Sequence, residues 1–445
     1  MTPQLHADSA LDSPVNILLV GGAAREHALA AAIARSPKLG TLYATHTSNP
    51  GIAALAQPID VPAETKQLYR LQQFCDAKKI DLVVIGPETP LAEGWADKLA
   101  LRLDGSRRLV FGPSASAARI ESDKGWAKKL MRAASIPTAE GRIFTDADAA
   151  DEYLKTREDP QVIKAAGLAA GKGVIVPESL EEGLDAIDRI MRQRVFGDAG
   201  SSLVIEERIQ GREVSVFALT DGATLLMLPP CQDHKRLGDN DAGPNTGGMG
   251  AFCPADTIDA DTLDRIESDI LIPTLDTLRR DDIPYVGALY AGLMLTPAGP
   301  KVIEFNCRFG DPECQNLMTR LDSDAIDLLR APATGTLDEI EVSWSPEPTV
   351  CIVLAADGYP VKPRKGDEIT GVDEAESMPG VTVFHAGTKL ESGRLVTNGG
   401  RVLSVTARAA TMTEARDLAY AACSKINFAG KTMRTDIASH AAAPA

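Results

Sequence analysis

Glu304, Asn306 and Arg308 carry the most chemistry for their spacing. They lie in the run Lys301-Val302-Ile303-Glu304-Phe305-Asn306-Cys307-Arg308-Phe309-Gly310-Asp311-Pro312-Glu313. Val302, Ile303 and Phe305 favour a strand, whose period-2 alternation puts Glu304 and Asn306 on one face. Two oxygen donors side by side suit a hard cation such as Mg²⁺ that also holds phosphate oxygens. If the strand continues, Arg308 joins that face and offers a planar fork of donors to a phosphoryl group. Gly310-Asp311-Pro312 then turns the chain. Taken alone, the same E-x-N-x-R alternation also fits an edge strand with a solvated polar face.

Other residues could serve the same chemistry. Ala165-Ala166-Gly167-Leu168-Ala169-Ala170-Gly171-Lys172-Gly173-Val174 is a small-residue loop with three glycines and a lysine. Such a loop can close over a triphosphate with backbone N–H groups and little side-chain bulk. It lacks the G-x-x-x-x-G-K-[ST] order of a Walker motif, and alone it also fits a plain turn. Glu213 follows the strand Ser202–Glu207 and is placed to meet a ribose. Asp233-His234-Lys235-Arg236 reads as a basic patch, with His234 on the surface, and Asn245-Thr246-Gly247-Gly248-Met249-Gly250 as a flexible loop.

These residues need a large scaffold. The chain has 445 residues, and at roughly 150 per domain that suggests about three domains. It is 44% hydrophobic and 24% charged, enough to bury sizeable cores. A net charge of −16 argues against nonspecific binding to nucleic acid or to an anionic membrane. No run of about 20 apolar residues could span a bilayer. The seven cysteines are scattered, odd in number and without a C-x-x-C, as expected of small buried thiols in a cytoplasmic protein. Met1 to Pro14 lacks a basic n-region and reads as a disordered lead-in.

The scaffold itself opens with alternating elements. Val15–Val20 is a buried strand, Gly21-Gly22 its turn, and a helix runs from near Arg25 to Arg35. A strand at Leu42–Ala44, a helix over Thr65–Lys78, a strand at Ile80–Ile85, a helix over Leu91–Leu101 and a strand at Leu109–Phe111 follow. This alternation predicts a parallel α/β sheet with ligand loops at its carboxyl edge. The first turn lacks G-x-G-x-x-G and so is no standard dinucleotide site. Farther on, a helix opening at Glu121 carries Lys124, Lys128 and Lys129, and Gln161–Lys164 is a strand.

In order, Ile163-Lys164, Gly167-Leu168-Ala169-Ala170-Gly171-Lys172-Gly173-Val174, Asp233-His234-Lys235-Arg236, Gly243-Pro244-Asn245-Thr246-Gly247-Gly248-Met249-Gly250-Ala251 and the Glu304 run resemble the phosphoribosylamine–glycine ligase (glycinamide ribonucleotide synthetase) family of ATP-grasp enzymes. The resemblance covers roughly residues 15 to 437. Phe384-His385-Ala386-Gly387-Thr388-Lys389 and Thr397-Asn398-Gly399-Gly400-Arg401-Val402 match its C-terminal domain. It implies a multidomain α/β and α+β fold: an N-terminal parallel α/β domain, a two-lobed ATP-grasp core and a β-rich C-terminal domain. The expected divisions are a lead-in at 1–14, the N-terminal domain at 15–118, the ATP-grasp domain at 119–335 with a nucleotide-lid lobe at about 136–208, the C-terminal domain at 336–437 and a tail at 438–445.

The resemblance also implies roles. Lys124 and Lys164, with Gly171, Lys172 and Gly173, are expected at the phosphates of ATP. Glu206, Glu207 and Ile209 match the adenine hinge, and Glu213 the ribose contact. Glu304 and Asn306 match ligands of Mg²⁺ or Mn²⁺. Arg308 is expected at the transferring phosphoryl group and is a catalytic candidate together with Lys235 and Arg236, which fall in stretches expected to line the phosphoribosylamine and glycine sites. Arg25, Asn49, Gly51, Glu88, Gly248 and Asp311 fall in stretches expected to line the phosphoribosylamine and glycine sites. The implied reaction joins glycine to 5-phosphoribosylamine through glycyl phosphate, in a cytoplasmic monomer or weak homodimer acting on small molecules. Three positions depart from the family pattern: Ala23 stands for a glycine, Thr47-Ser48 precede Asn49 in place of Pro-Gly, and Ala166 stands for an aspartate. Another ATP-grasp ligase of the same pathway, or a nonenzymatic nucleotide-binding relative, is the competing reading. The D-H-K-R and T-G-G-M-G stretches speak against the first, and intact Glu304, Asn306 and Arg308 against the second.

Overall fold

The computed structural model describes residues 14–169, 171–256 and 258–441. The expected lead-in before Pro14 and the last four residues of the expected tail lie outside them. The first sheet has five parallel strands in the order Gln57–Pro58, Leu39–Ala44, Val15–Val20, Leu82–Ile85 and Leu109–Phe111. Both faces are covered, so its central strands are continuous apolar runs. Ile17, Leu18, Leu19 and Leu82 to Val84 have no exposed surface. Sequence order reverses between Val15–Val20 and Leu82–Ile85, which opens a crevice at their carboxyl ends. The helices that begin there, Ala24–Ala34 and Glu88–Ala92, carry Arg25 and Glu88 in their first turns.

Three expected helices differ in detail. The one over Leu91–Leu101 is two short helices, Glu88–Ala92 and Trp95–Leu99, broken at Gly94 with φ +78°. A glycine in the left-handed region ends a helix cheaply. The one over Thr65–Lys78 begins as a single 3-10 turn and becomes α-helical at Leu68–Ala77. The helix expected to open at Glu121 is also two: Ala115–Ser122 ends there, and Asp123 caps Lys124–Ala133 by accepting from the Trp126 N–H. Lys124 is therefore the first residue of its helix.

Two antiparallel four-stranded sheets form the middle of the molecule. The smaller has the order Gly141–Phe144, Leu203–Glu207, Gln161–Ala165, Val174–Ile175; the larger Leu225–Met227, Arg212–Thr220, Gly287–Thr296, Gly299–Asn306. In the smaller sheet Ile163, Ala165, Leu203 and Ile205 pack inward against the helices Ala147–Lys155 and Leu180–Ile187. Alternation then turns Val162, Lys164, Val204 and Glu206 to the opposite face. In the larger sheet, Gly292 pairs with Glu304 while Leu293 pairs with Val302, so Ile303 is an extra residue. From Glu304 to Asn306 the register is regular, so alternation alone sets these two on one face, and the bulge before them lets Val302 enter the core while Glu304 turns to the cavity.

The third sheet, all antiparallel, has the order Gln232–Asp233, Gly250–Cys253, Thr349–Ala355, Arg401–Arg408 and Val381–His385, with Met412–Lys425 packed on it. Its first two strands come from the middle of the chain. Part of the expected flexible Asn245–Gly250 loop thus leads straight into a fully buried strand. Ala438 is buried in this domain's core and the His440 ring lies against Phe252.

Candidate active site

The two antiparallel sheets face each other across a cavity of about 680 Å³ that reaches the crevice of the parallel sheet. Val162, Val174, Val176, Val204, Met131 and Met294 make an apolar part, next to the chain segment Glu207–Gly211. The rest is charged. Nine basic and nine acidic side chains line it, so the chain's strong net negative charge does not extend into this space.

A buried triad anchors the lysines. Glu206 pairs with Lys128 at 2.7 Å and with Lys164, each side chain only 4% exposed. Lys164 also donates to the Ile303 carbonyl at 3.0 Å, tying the small sheet to the bulge in the large one. Lys128 donates to Thr138 Oγ1 and the Ala139 carbonyl. Burial pulls the Lys124 and Lys128 ammonium groups down, against the pull of Glu304 on Lys124 and of Glu206 on Lys128. Lys124 is joined to the glycine loop: its N–H donates to the Ala166 carbonyl and its Nζ to that of Gly167.

Glu304 sits among cations. Burial pushes its carboxyl up, but Lys235, Lys164, Lys124 and Arg308 outweigh this and hold it at about 2. Lys235 is 3.4 Å from Glu304 and 3.6 Å from Glu213. The strand ends at Asn306, so Arg308 does not lie on it as expected. Its guanidinium instead folds back, donating to Asn306 Oδ1 at 3.1 Å, Glu121 at 2.9 Å, Glu88 at 3.3 Å and the Phe309 carbonyl. Contacts from two other elements thus restore the grouping that a longer strand would have given.

Glu88 behaves like Glu304. Burial raises its carboxyl, but Arg308 and Arg25 bring it to about 2, against an ordinary 4.5. A depressed carboxylate stabilises the fold fully above its unfolded value, and this is lost as pH falls through the folded one. Wild type should therefore lose stability relative to Glu88→Gln as pH falls from 4.5 toward 2. Urea unfolding of both proteins across that range checks it, and parallel pH curves would refute the assignment.

Of the expected residues, Arg25, Glu88, Lys124, Lys164, Gly171, Gly173, Glu206, Glu207, Ile209, Glu213, Lys235, Arg236, Glu304, Asn306, Arg308 and Asp311 all line the cavity. Four do not. Lys172 is exposed. Asn49 is buried at a domain contact, capping Pro50–Ala53 and donating to the carbonyls of Gly22 and His385. A Cβ on Gly51 would lie 2.1 Å from the ring of His27 on the first helix, a ring whose Nδ1 accepts from the His385 N–H, so this glycine makes room for a domain contact. Gly248, with φ +109°, turns the chain where a Cβ would meet Pro312 and Asp233.

Two smaller readings are also corrected. The Asp233–Arg236 stretch is not a simple basic patch: Asp233 lies among Glu313, Lys235 and Arg401, and burial, then Glu313, pushes its carboxyl well up. His234 is buried and held at about 4 by desolvation. Ala23 caps its helix at φ −93°, a conformation alanine adopts without strain, while the Ala23 N–H is taken by Glu26. Glu121, Lys128, Asp233, Glu313 and Arg401 line the cavity without having been singled out. Asp233, Glu313 and Arg401 fall inside motif stretches, but Arg401 is in the C-terminal domain and reaches Asp311 at 3.0 Å only through tertiary packing.

The residues present fit a divalent cation. Glu304 keeps its charge, and Asn306 shares its face and offers Oδ1, the oxygen that accepts from Arg308 in this structure. Among the described residues no group of three His, Cys, Asp or Glu side chains forms a full protein cage. Two protein donors, with phosphate oxygens and water for the rest, is the coordination Mg²⁺ favours.

Two facing antiparallel sheets with a lysine- and carboxylate-lined cavity between them define an ATP-grasp protein, and the description of an ATP-grasp (A) domain of phosphoribosylglycinamide synthetase matches residues 122–314. The N domain of the same family matches 15–121 and its C domain 349–440. The chain belongs to the phosphoribosylglycinamide synthetase family. It is 46% identical over 437 residues to a phosphoribosylamine–glycine ligase of Rhodopirellula baltica, covering 96% of this chain and 98% of that one. It is 44% identical to a human trifunctional purine biosynthetic protein adenosine-3, covering 95% of this chain and 41% of that one. A crystal structure of a Thermotoga maritima phosphoribosylamine–glycine ligase superposes with a TM-score of 0.81 at 33% identity, over 95% of this chain and all of that one. A Campylobacter jejuni biotin carboxylase, at 16% identity and a TM-score of 0.70, shares the fold.

Proposed function

We propose that this chain joins glycine to 5-phosphoribosylamine at the expense of ATP, giving glycinamide ribonucleotide, ADP and phosphate in purine biosynthesis. The observation that carries this is the convergence of Glu304, Asn306, Lys124, Lys164, Lys235 and Arg308 on one cavity beside an apolar slot. A carboxylate is a poor acyl donor, so the terminal phosphoryl group must first pass to glycine. The apolar slot takes adenine, the backbone of Glu206 to Ile209 meets its polar edge, and Glu213 meets the ribose. Lys124 and Lys164 hold the phosphates in line. Lys235 and Arg308 face the charge that develops on the transferring group, which is where preorganised cations lower a barrier most. A Mg²⁺ or Mn²⁺ ion held by Glu304 and Asn306 supplies further charge neutralisation when bound. The amine then attacks the carbonyl of glycyl phosphate, with Arg25, Glu88 and Asp311 lining the crevice that receives it. Transfer through an acyl phosphate uses no thiol nucleophile, and among the described residues no cysteine lines the cavity. A cytoplasmic monomer or weak homodimer belongs to the same reading.

The test is the fate of the phosphate bond. Purified protein with ATP, Mg²⁺, glycine and fresh phosphoribosylamine should give ADP and phosphate in equal amounts with the amide product. Oxygen-18 placed in the glycine carboxylate should appear in the released phosphate. AMP as the main nucleotide, or phosphate without the label, would exclude an acyl phosphate. ADP formed without dependence on glycine would leave the phosphoryl chemistry standing and reassign the carboxylate substrate.

A further inference from the structure

Away from the cavity, two of the seven cysteines face each other. Gln232 pairs with Phe252 and Asp233 with Ala251, so one step back in the same antiparallel register sets Cys231 opposite Cys253. Cys231 spends its own N–H and carbonyl on Ser215, at 2.9 and 2.8 Å on the other side. Toward Cys253 it therefore forms a pair without backbone hydrogen bonds. Directly opposed residues of that kind have Cα atoms about 4.5 Å apart and side chains on one face. That separation lies within the range of about 4.4–6.8 Å that a disulfide spans. The sulfurs also point to one place: Cys231 Sγ is 3.8 Å and Cys253 Sγ 4.0 Å from the same Pro229 carbonyl oxygen.

The pair also has an activating cation. Arg320 Nη1 lies 3.0 Å from Cys253 Sγ, and the same guanidinium is fixed by the Ser345 and Glu347 carbonyls. Burial pushes both thiols up, but at Cys253 the hydrogen bond from Cys231 and the Arg320 charge outweigh it and pull the thiol down. A thiolate beside a fixed guanidinium is the reactive form of cysteine. Both thiols are free and have no exposed surface. An oxidant must reach them by local opening, and the strand that follows Cys231, Gln232–Asp233, is only two residues long and is held on its other side by the single bridge from Cys231 to Ser215.

We propose that Cys231 and Cys253 are an oxidation site that closes to a reversible disulfide with hydrogen peroxide as oxidant. The Cys253 thiolate attacks one peroxide oxygen; the S–O bond forms, the O–O bond breaks, and the departing hydroxide takes a proton to become water. Cys231, giving up its proton, attacks the Cys253 sulfur; the S–S bond forms, the S–O bond breaks, and a second water leaves with that proton. The two sulfurs together lose two electrons and the peroxide gains them. The closed bond pins the strand from which Asp233 and Lys235 extend to the cavity.

The folded full-length chain, treated with hydrogen peroxide, quenched and alkylated in denaturant, should show two fewer alkylated thiols than the seven of the untreated chain. Peptide mapping should find Cys231 linked to Cys253, and dithiothreitol should restore both. Cys253→Ser should lose no thiol pair under the same treatment. All seven thiols alkylated after peroxide, a link between other cysteines, or a sulfinic acid at Cys253 with Cys231 still free would each overturn the proposal. The wild-type map decides the matter even if the serine variant fails to fold.

Discussion

Replacing Glu304 by alanine should lower turnover by about 10²–10³-fold or more while the protein remains folded. The carboxylate stands on the face of a strand toward the cavity, not in a hydrophobic core, so its loss leaves the sheet intact. What disappears is the anion that the cations Lys124, Lys164, Lys235 and Arg308 surround. In the proposed reaction, it is also one of two oxygen donors for the divalent ion. The defect should appear in kcat, with circular dichroism and the urea midpoint near those of wild type. Near-normal turnover at saturating Mg²⁺ would remove Glu304 from the site. A variant that lost both turnover and cooperative unfolding would show a structural role instead.

The largest effect on stability is expected at Glu206. Glu206→Gln keeps the shape of the side chain but leaves Lys128 and Lys164, both almost fully buried, without their shared counter-charge. Breaking one partner out of a buried ion pair costs about 3–5 kcal/mol, because the remaining charge stays desolvated. Equilibrium urea unfolding should register a loss of this size. Adding Lys128→Met to Glu206→Gln should recover part of it, since an apolar side chain no longer has a charge to leave unpaired. A loss below about 1 kcal/mol for the single variant would mean that the lysines find other partners or water. The side chain of Glu206 is thus committed to the lysines, while its backbone remains beside the apolar slot assigned to adenine.

The residues of the site were largely legible in the sequence because their types are unusual for their positions. A strand that carries Glu304 and Asn306 on one face, followed at once by Arg308, states its chemistry through a two-residue period. The parallel sheet was legible for the same kind of reason: runs such as Ile17 to Val20 and Leu82 to Ile85 can be buried on both faces only between helices. The chain could not reveal how Arg308 returns to Asn306, since the strand stops two residues earlier and Glu88 and Glu121 draw it back from elements about 190 to 220 positions away. Nor could it separate Asn49 and Gly51 from the cavity. An asparagine before Pro-Gly suits a ligand loop and a helix cap equally, and only packing against His27 and His385 decides for the cap.

The fold class, the family and most of the charged side chains of the cavity could be read from the sequence, because motif spacing and hydrophobic period are local properties of the chain. Tertiary structure alone decided the partners. The Glu206 clamp on two lysines, the reach of Arg401 from the C-terminal domain to Asp311, the strands Gln232–Asp233 and Gly250–Cys253 joining a sheet far along the chain, and the meeting of Cys231 with Cys253 all join residues distant in sequence. Such pairings depend on register and on which faces are buried together, and neither is written in any single stretch of the chain.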